Sequence, residues 1–275
     1  MSTEHFDVPA IGSGRSGLAA ARGLLGEGLR PVIPEASGRA AGSWPGTTTV
    51  PLVSPARYGS LPGMPFGGDP DRYPRRDEVA AYLLRYAERL DVDIRIHSRV
   101  AAVRADREGF TLDLEGGGHL DARAVVTATG GFGRPSRPAL PGIGTFADTL
   151  LHVSEYRAPQ VYAGWRVVVV GAGNSAVQVA VELAEVSRVG LAGRAPVRWF
   201  PRRPLGQDLH FWLTATGLDA APLGRFQSRP AAMAVIDDGR YRAALAAGRP
   251  ERRPCSPEST AQPSPGATRA RREWT

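Results

Sequence analysis

With 275 residues, 42% of them hydrophobic, the chain can bury one large or two medium domains. Its net charge of +7 comes from 34 basic residues, all arginine, interspersed with 27 acids. They do not alternate with aromatics along one face, so no nucleic-acid partner is predicted. The single cysteine, Cys255, excludes a disulfide framework, a Cys-x-x-Cys pair and a thiolate metal site. The five histidines are scattered without ligand spacing, and no metal is predicted. The N-terminal MSTEHFDV lacks the features of a signal peptide. The most apolar window, residues 165–184, holds Arg166, Asn174, Gln178 and Glu182. No membrane span is expected from it, and a cytoplasmic location is.

In chain order, residues 6–11 read as a buried strand. Residues 15–26 read as a helix with Leu18, Ala21, Leu24 and Leu25 on one face, and residues 29–35 as a second strand. Pro9 and Pro34 fall inside these strands, where a lost ladder hydrogen bond is costly. Residues 36–73 carry Gly, Pro, Ser and Thr without periodicity and read as irregular structure over a site. A helix is predicted behind Asp77 as N-cap, with Val79, Tyr82, Leu83, Tyr86 and Leu90 at helical spacing. Strands at 94–103, 110–114 and 124–127, with a hairpin at 107–109, predict a small antiparallel insertion over about 94–127. After a Pro- and Gly-rich connection at 130–144, the β-α-β pattern restarts with a strand at 166–170, a helix at 174–186 and a strand at 189–193. Periodicity weakens after residue 204. From Pro254 onward the only large apolar residue is Trp274, so a disordered tail is expected.

Each β-α-β unit carries a glycine loop between its first strand and its helix. In Gly12-Ser13-Gly14-Arg15-Ser16-Gly17, the first glycine permits a tight turn, the second lets backbone approach a pyrophosphate, and the third allows close helix packing. The helix start then supplies N–H groups to the phosphates. Gly171-Ala172-Gly173-Asn174-Ser175-Ala176 repeats the pattern with alanine in the third small position. A glycine turn with an incidental acid is the competing reading of the first loop. Glu35 and Arg194 stand the same number of residues beyond Gly12 and Gly171, at the ends of the second strands. A carboxylate there accepts ribose hydroxyls and repels a 2′-phosphate, whereas a guanidinium pairs with one. The first unit therefore suits FAD, with Ala36 beside the ribose acid, and the second suits NADP(H) over NADH. Arg202 and Arg203 fit a solvated basic loop or an extension of the phosphate pocket. Phe211, Trp212 and Trp199 fit a core or a substrate wall.

These loops, with Gly42-Ser43-Trp44, Thr127-Ala128-Thr129-Gly130 and the run Phe146-x-Asp148-x-x-x-His152-x-x-x-Tyr156, resemble the flavin-containing monooxygenase superfamily, small bacterial FAD/NAD(P)-dependent oxidoreductases included. The resemblance implies an α/β fold of two Rossmann-like, three-layer (ββα/βαβ) dinucleotide-binding domains with the small antiparallel insertion. It divides the chain into an FAD domain at 1–145, an NADP domain at 146–235 and an atypical tail at 236–275. It nominates Ser43, Trp44, Thr129 and Gly130 as FAD contacts. It implies hydride transfer from NADPH to FAD and oxygen transfer from a C4a-hydroperoxyflavin to a small organic substrate, with O2 as the other partner. No catalytic side chain is firmly assigned: His152 at the domain junction is the one candidate, and a linker histidine bonded to backbone is its alternative. A homodimer is left open. Asp148 stands where the family has glycine. Pro45-Gly46-Thr47-Thr48-Thr49 and the run from Pro254 also depart from its pattern, which implies a C-terminally shortened FAD domain. A relative that keeps nucleotide binding without turnover is therefore the alternative function. A disulfide reductase would need a cysteine pair that this sequence does not have.

Overall fold

The computed structural model describes residues 4–46, 52–138, 142–221 and 234–254. They belong to two compact units, Met1–Pro135 and Ser136–Thr275, with the division of the chain falling in the Pro- and Gly-rich connection.

In the first unit the chain runs β1 (Glu4–Phe6), β2 (Val8–Ile11), α1 (Arg15–Gly26), β3 (Pro31–Pro34), α2 (Ala56–Gly59), α3 (Arg76–Glu88), β4 (Asp93–Arg95), β5 (Val100–Ala105), β6 (Phe110–Leu114), β7 (His119–Ala122) and β8 (Val126–Thr127). Strands β2 and β3 are buried at every residue, the pattern of parallel strands covered on both faces. They form a four-stranded parallel sheet in the order β4-β3-β2-β8. Alternate residues of these strands serve opposite faces. Ala10 and Ile33 join Leu18 and Ala21 of α1 and Val79, Tyr82 and Leu83 of α3 in one core. Ile11 and Val32 pack instead with Leu112, Leu120 and Ala122. Those last residues belong to a second sheet, β1-β7-β6-β5, antiparallel except where β1 meets β7. The unit is thus three layers, with each fully buried Leu or Val contributing about 1.5–3 kcal/mol.

Several boundaries differ from the predicted ones. The strand expected at 6–11 is two strands in different sheets, broken at Asp7, whose carboxylate accepts the Arg30 N–H at 2.9 Å. The strand expected at 94–103 is likewise divided, because His97 takes a left-handed backbone (φ 53°) between β4 and β5. The antiparallel part is therefore confined to β5–β7, and β4 belongs to the parallel sheet. Helix α3 starts one residue before Asp77. Its N-cap is Arg75, whose N–H donates to Glu78 Oε2 at 2.8 Å, and Asp77 lies in the first turn, where the helix dipole favours it. Pro9 is tolerated in β2. The Ile11 carbonyl accepts from Ala128 N and the Asp7 carbonyl from Ala124 N, so the missing Pro9 N–H faces β8, ahead of that strand's start at Val126.

The second unit contains β9 (Arg166–Val170), α4 (Asn174–Leu183), β10 (Arg188–Gly193), β11 (Trp199–Pro201), α5 (Leu209–Thr216), β12 (Val235–Asp237), α6 (Arg240–Ala246) and β13 (Glu251–Pro254). Strands β13-β10-β9 form a parallel sheet, and β11 pairs with β12. Val177, Ala180 and Leu183 of α4 pack with Val189 and Leu191 of β10 and with Tyr241 and Leu245 of α6. The region expected to be a tail from residue 236 thus supplies β12, α6 and a third sheet strand up to Pro254. Hydrophobic periodicity could not reveal β13, because Glu251–Pro254 has no large apolar residue and is exposed throughout. Cys255, the tail beyond it and Thr47–Thr48–Thr49 lie outside the described residues. Among the described residues no helix is long and apolar enough to cross a membrane.

Candidate nucleotide-binding sites

In the first unit the chain leaves β2 at Ile11 and enters α1 at Arg15, at the sheet's carboxyl end between β2 and β8. That is the crevice where a doubly wound sheet receives a ligand. Gly12 has φ +99° and donates its N–H to the Pro34 carbonyl at 2.9 Å. A Cβ on Gly12 would stand 2.8 Å from the Ala128 carbonyl oxygen, and one on Gly17 would stand 1.8 Å from that of Gly12. Both glycines are therefore demanded by packing. Gly14 is not: a Cβ there would meet no heavy atom within 4 Å, so open space lies above the loop. Helix α1 has neither a side-chain cap nor an acid in its first turn, which leaves its first N–H groups to an outside acceptor. Ser16 is exposed, and Arg15 is half-buried with Nη1 3.8 Å from the Cβ position of Gly59. Burial draws the Arg15 guanidinium below its ordinary pKa, and the Tyr82 phenol opposes that shift.

Glu35, just past β3, is only 5% exposed. Its Oε2 accepts from Ser13 N and Ser13 Oγ, both at 2.7 Å, and its Oε1 from Ser37 N at 2.8 Å. Burial pushes this carboxyl's pKa up, but the hydrogen bonds from Ser13 and Ser37 outweigh burial and hold it below its ordinary value. The Glu35 carboxylate is thus an ionised acceptor at the loop's edge, the kind of group that can take a ribose hydroxyl. Ala36 is half-buried beside it. Ala41 and Gly42, both left-handed, carry the next segment back onto the loop, with the Gly42 Cβ position 3.1 Å from Gly14 Cα. This brings Ser43, exposed, and Trp44, packed on the core, next to the loop at 12–17. Thr129 and Gly130 follow β8 and are exposed, with Thr129 Cα 3.6 Å from the Gly12 Cβ position.

The second loop repeats this construction. Gly171 has φ +150°, and its N–H donates to the Ala192 carbonyl at 2.8 Å. A Cβ on Gly171 would stand 2.8 Å from the Ala176 Cβ, so the alanine methyl occupies the space beneath this glycine. A Cβ on Gly173, like one on Gly14, would meet nothing within 4 Å. Ser175 is exposed at the helix start. Asn174 is engaged elsewhere: its Oδ1 accepts from Ile236 N at 2.9 Å and its Nδ2 donates to the Ala234 carbonyl at 3.3 Å, which ties α4 to β12. A cleft of about 390 Å³ opens at this end of the sheet. It is lined by Gly171, Gly193 and Arg194 and by Arg252 and Arg253 of β13. Spacing in the sequence pointed to Arg194 but not to the β13 arginines.

Other predicted residues have local partners. Arg202 pairs with Asp238 at 2.8 Å, and its side chain is 13% exposed, so it is no solvated loop residue. Nδ1 of His152 lies 2.9 Å from Ser154 Oγ, and the His152 backbone N–H donates to Glu155 Oε2 at 2.7 Å, which makes the residue part of a turn. Tyr156 is buried and donates to Glu182 at 2.7 Å; burial first, then that bond, raises its pKa above the ordinary phenol value. Trp199 packs on the core, whereas Phe211 is 38% exposed against Trp212.

The sequence matches the family described as pyridine nucleotide-disulphide oxidoreductase over residues 10–205, a span that contains both loops, Glu35 and Arg194. It is 34% identical over 215 residues to an uncharacterized CzcO-like oxidoreductase of Geobacillus kaustophilus, covering 77% of this chain and 61% of that protein. It is 35% identical over 201 residues to the indole-3-pyruvate monooxygenase YUCCA1 of Oryza sativa, covering 71% of this chain and 50% of that one. The solved structure of a flavin-containing monooxygenase from Stenotrophomonas maltophilia matches with a TM-score of 0.75 at 28% identity, covering 92% of this chain and 70% of that one. The chain thus spans between half and about three fifths of the length of these two curated relatives. With the match running through both glycine loops and across the two-domain α/β fold, the chain belongs to the pyridine nucleotide-disulphide oxidoreductase family, as a member of the flavin monooxygenase superfamily.

Proposed function

We propose that the chain holds FAD on the loop at 12–17 and NADPH on the loop at 171–176, and works as an NADPH-oxidising flavin oxidoreductase of the monooxygenase type. One observation carries this reading: two β-α-β units with loops of the same construction have side chains of opposite charge just past their second strands, buried Glu35 and exposed Arg194. The carboxylate accepts ribose hydroxyls of an adenosine without a 2′-phosphate, and the guanidinium selects one that bears it. The domains are accordingly read as FAD-binding at 1–145 and NADP-binding at 146–235, and β12–β13 extend the latter to residue 254.

The residues present fit these nucleotides. Gly14 and Gly173 leave open space over the helix starts of α1 and α4, and Glu35 stands ionised beside the first loop. Ser43, Trp44, Thr129 and Gly130 border the first loop and would limit water around the bound group. When bound, the flavin supplies hydride acceptance and oxygen activation, and the chain supplies position, dryness and electrostatics. The relatives named as monooxygenases support a small organic substrate with O2 as co-substrate.

Calorimetric titration of the purified chain with FAD, NADPH and NADH tests the reading. One FAD site and NADPH binding at least about tenfold tighter than NADH support it. Heat from NADPH alone, from a colourless protein, would favour a nucleotide-binding relative without turnover. Equal affinity for NADPH and NADH would refute the role given to Arg194.

A further inference from the structure

Strand β13 runs parallel to β10 with Pro254 opposite Gly193, so its last residues arrive at the sheet end from which Arg194 projects. Arg252 and Arg253 line the same cleft as Arg194, and no carboxylate is among its lining residues. An arginine on an edge strand is commonly a device against edge pairing. Three arginines lining one cleft are a different matter, because an anion in it would be attracted by each of them. They are not equivalent. Arg253 lays its stem over Gly190, where a Cβ would stand 3.3 Å from Arg253 Cδ, and its Nη2 pairs with Glu251 at 2.8 Å. Neither Arg194 nor Arg252 has a carboxylate partner among the described residues.

We propose that Arg252 is a second specificity-determining residue of the nucleotide site, holding with Arg194 the 2′-phosphate of NADPH from the neighbouring strand while Arg253 adds to the field. The inference rests on the reading of the second loop as the NADPH site. A 2′-phosphate carries close to two negative charges at neutral pH and presents three acceptor oxygens, which match two guanidinium forks approaching from adjacent strands.

Titration with 2′,5′-ADP and 5′-AMP, at low ionic strength, separates the two ideas, since the ligands differ only in the 2′-phosphate. The wild-type chain should prefer 2′,5′-ADP. Arg252→Gln should weaken 2′,5′-ADP about tenfold and leave 5′-AMP within about twofold. If Arg194→Gln removes the preference and Arg252→Gln leaves it intact, the role of Arg252 is overturned and the NADPH reading stands. If Arg252→Gln weakens both ligands equally, Arg252 acts on the fold or on general attraction, and the proposal fails. If the wild-type chain shows no preference, the NADPH reading itself falls and takes this inference with it.

Discussion

Ser13 gives both its backbone N–H and its hydroxyl to one oxygen of Glu35, each at 2.7 Å, which locks the ribose acid to the loop expected to carry the phosphates. The two halves of the proposed FAD site are thereby tied together. Glu35→Gln replaces an acceptor by an N–H2 group facing these donors and should cost about 1–3 kcal/mol at neutral pH. The pH dependence follows from the direction of the shift. A carboxyl held below its ordinary value stabilises the fold above the unfolded value, and that contribution is lost as pH falls through the folded one. Urea denaturation across the acid range should therefore show the gap between wild type and variant closing as pH drops. A gap of constant size would contradict the network.

The third small residue differs between the loops. Gly17→Ala would force a methyl to within 1.8 Å of the Gly12 carbonyl, so the helix must move off the strand. We expect a loss of about 1–3 kcal/mol, measured by denaturation, together with loss of flavin absorbance. Ala176→Gly should cost only about 0.5–1 kcal/mol, the helix penalty for glycine, and should keep NADPH binding.

Arg194→Glu replaces attraction for a 2′-phosphate with repulsion. NADPH affinity should fall by tenfold or more and NADH affinity should change little, as read by titration of each. Equal loss for both would mean that Arg194 acts on the fold.

Asn174→Ala tests whether this loop residue serves the fold or the ligand. Without its carboxamide the Ile236 N–H loses its acceptor, and we expect a stability loss of about 1–3 kcal/mol. A drop in NADPH affinity at unchanged stability would instead assign the side chain to the nucleotide.

The two glycine loops and the three layers were legible because glycine spacing and buried strand runs are local signals. Residues 8–11 and 31–34 announce themselves as continuous apolar stretches in spite of their prolines, which the sequence reading counts as a cost. The breaks at Asp7 and His97 were hidden because each sits inside a β-rich run, and only the pairing partners show that the chain changes sheet there. Strand β13 was invisible for the opposite reason: its four residues carry no large apolar side chain, and only its pairing with β10 defines it. The engagement of Asn174 and Arg202 by β12 and by Asp238, just beyond it, was likewise beyond reach, because those contacts span stretches of chain that no local pattern joins.

Two nucleotides, one on each glycine loop, are proposed to exchange electrons. The most direct test of that exchange is the visible spectrum of the purified, FAD-supplemented protein under anaerobic conditions as nicotinamide nucleotide is added. Bound-flavin absorbance should bleach with NADPH at concentrations at least about tenfold below those needed with NADH. A chain that retains no flavin, or whose flavin stays oxidised when NADPH is in excess, would contradict it.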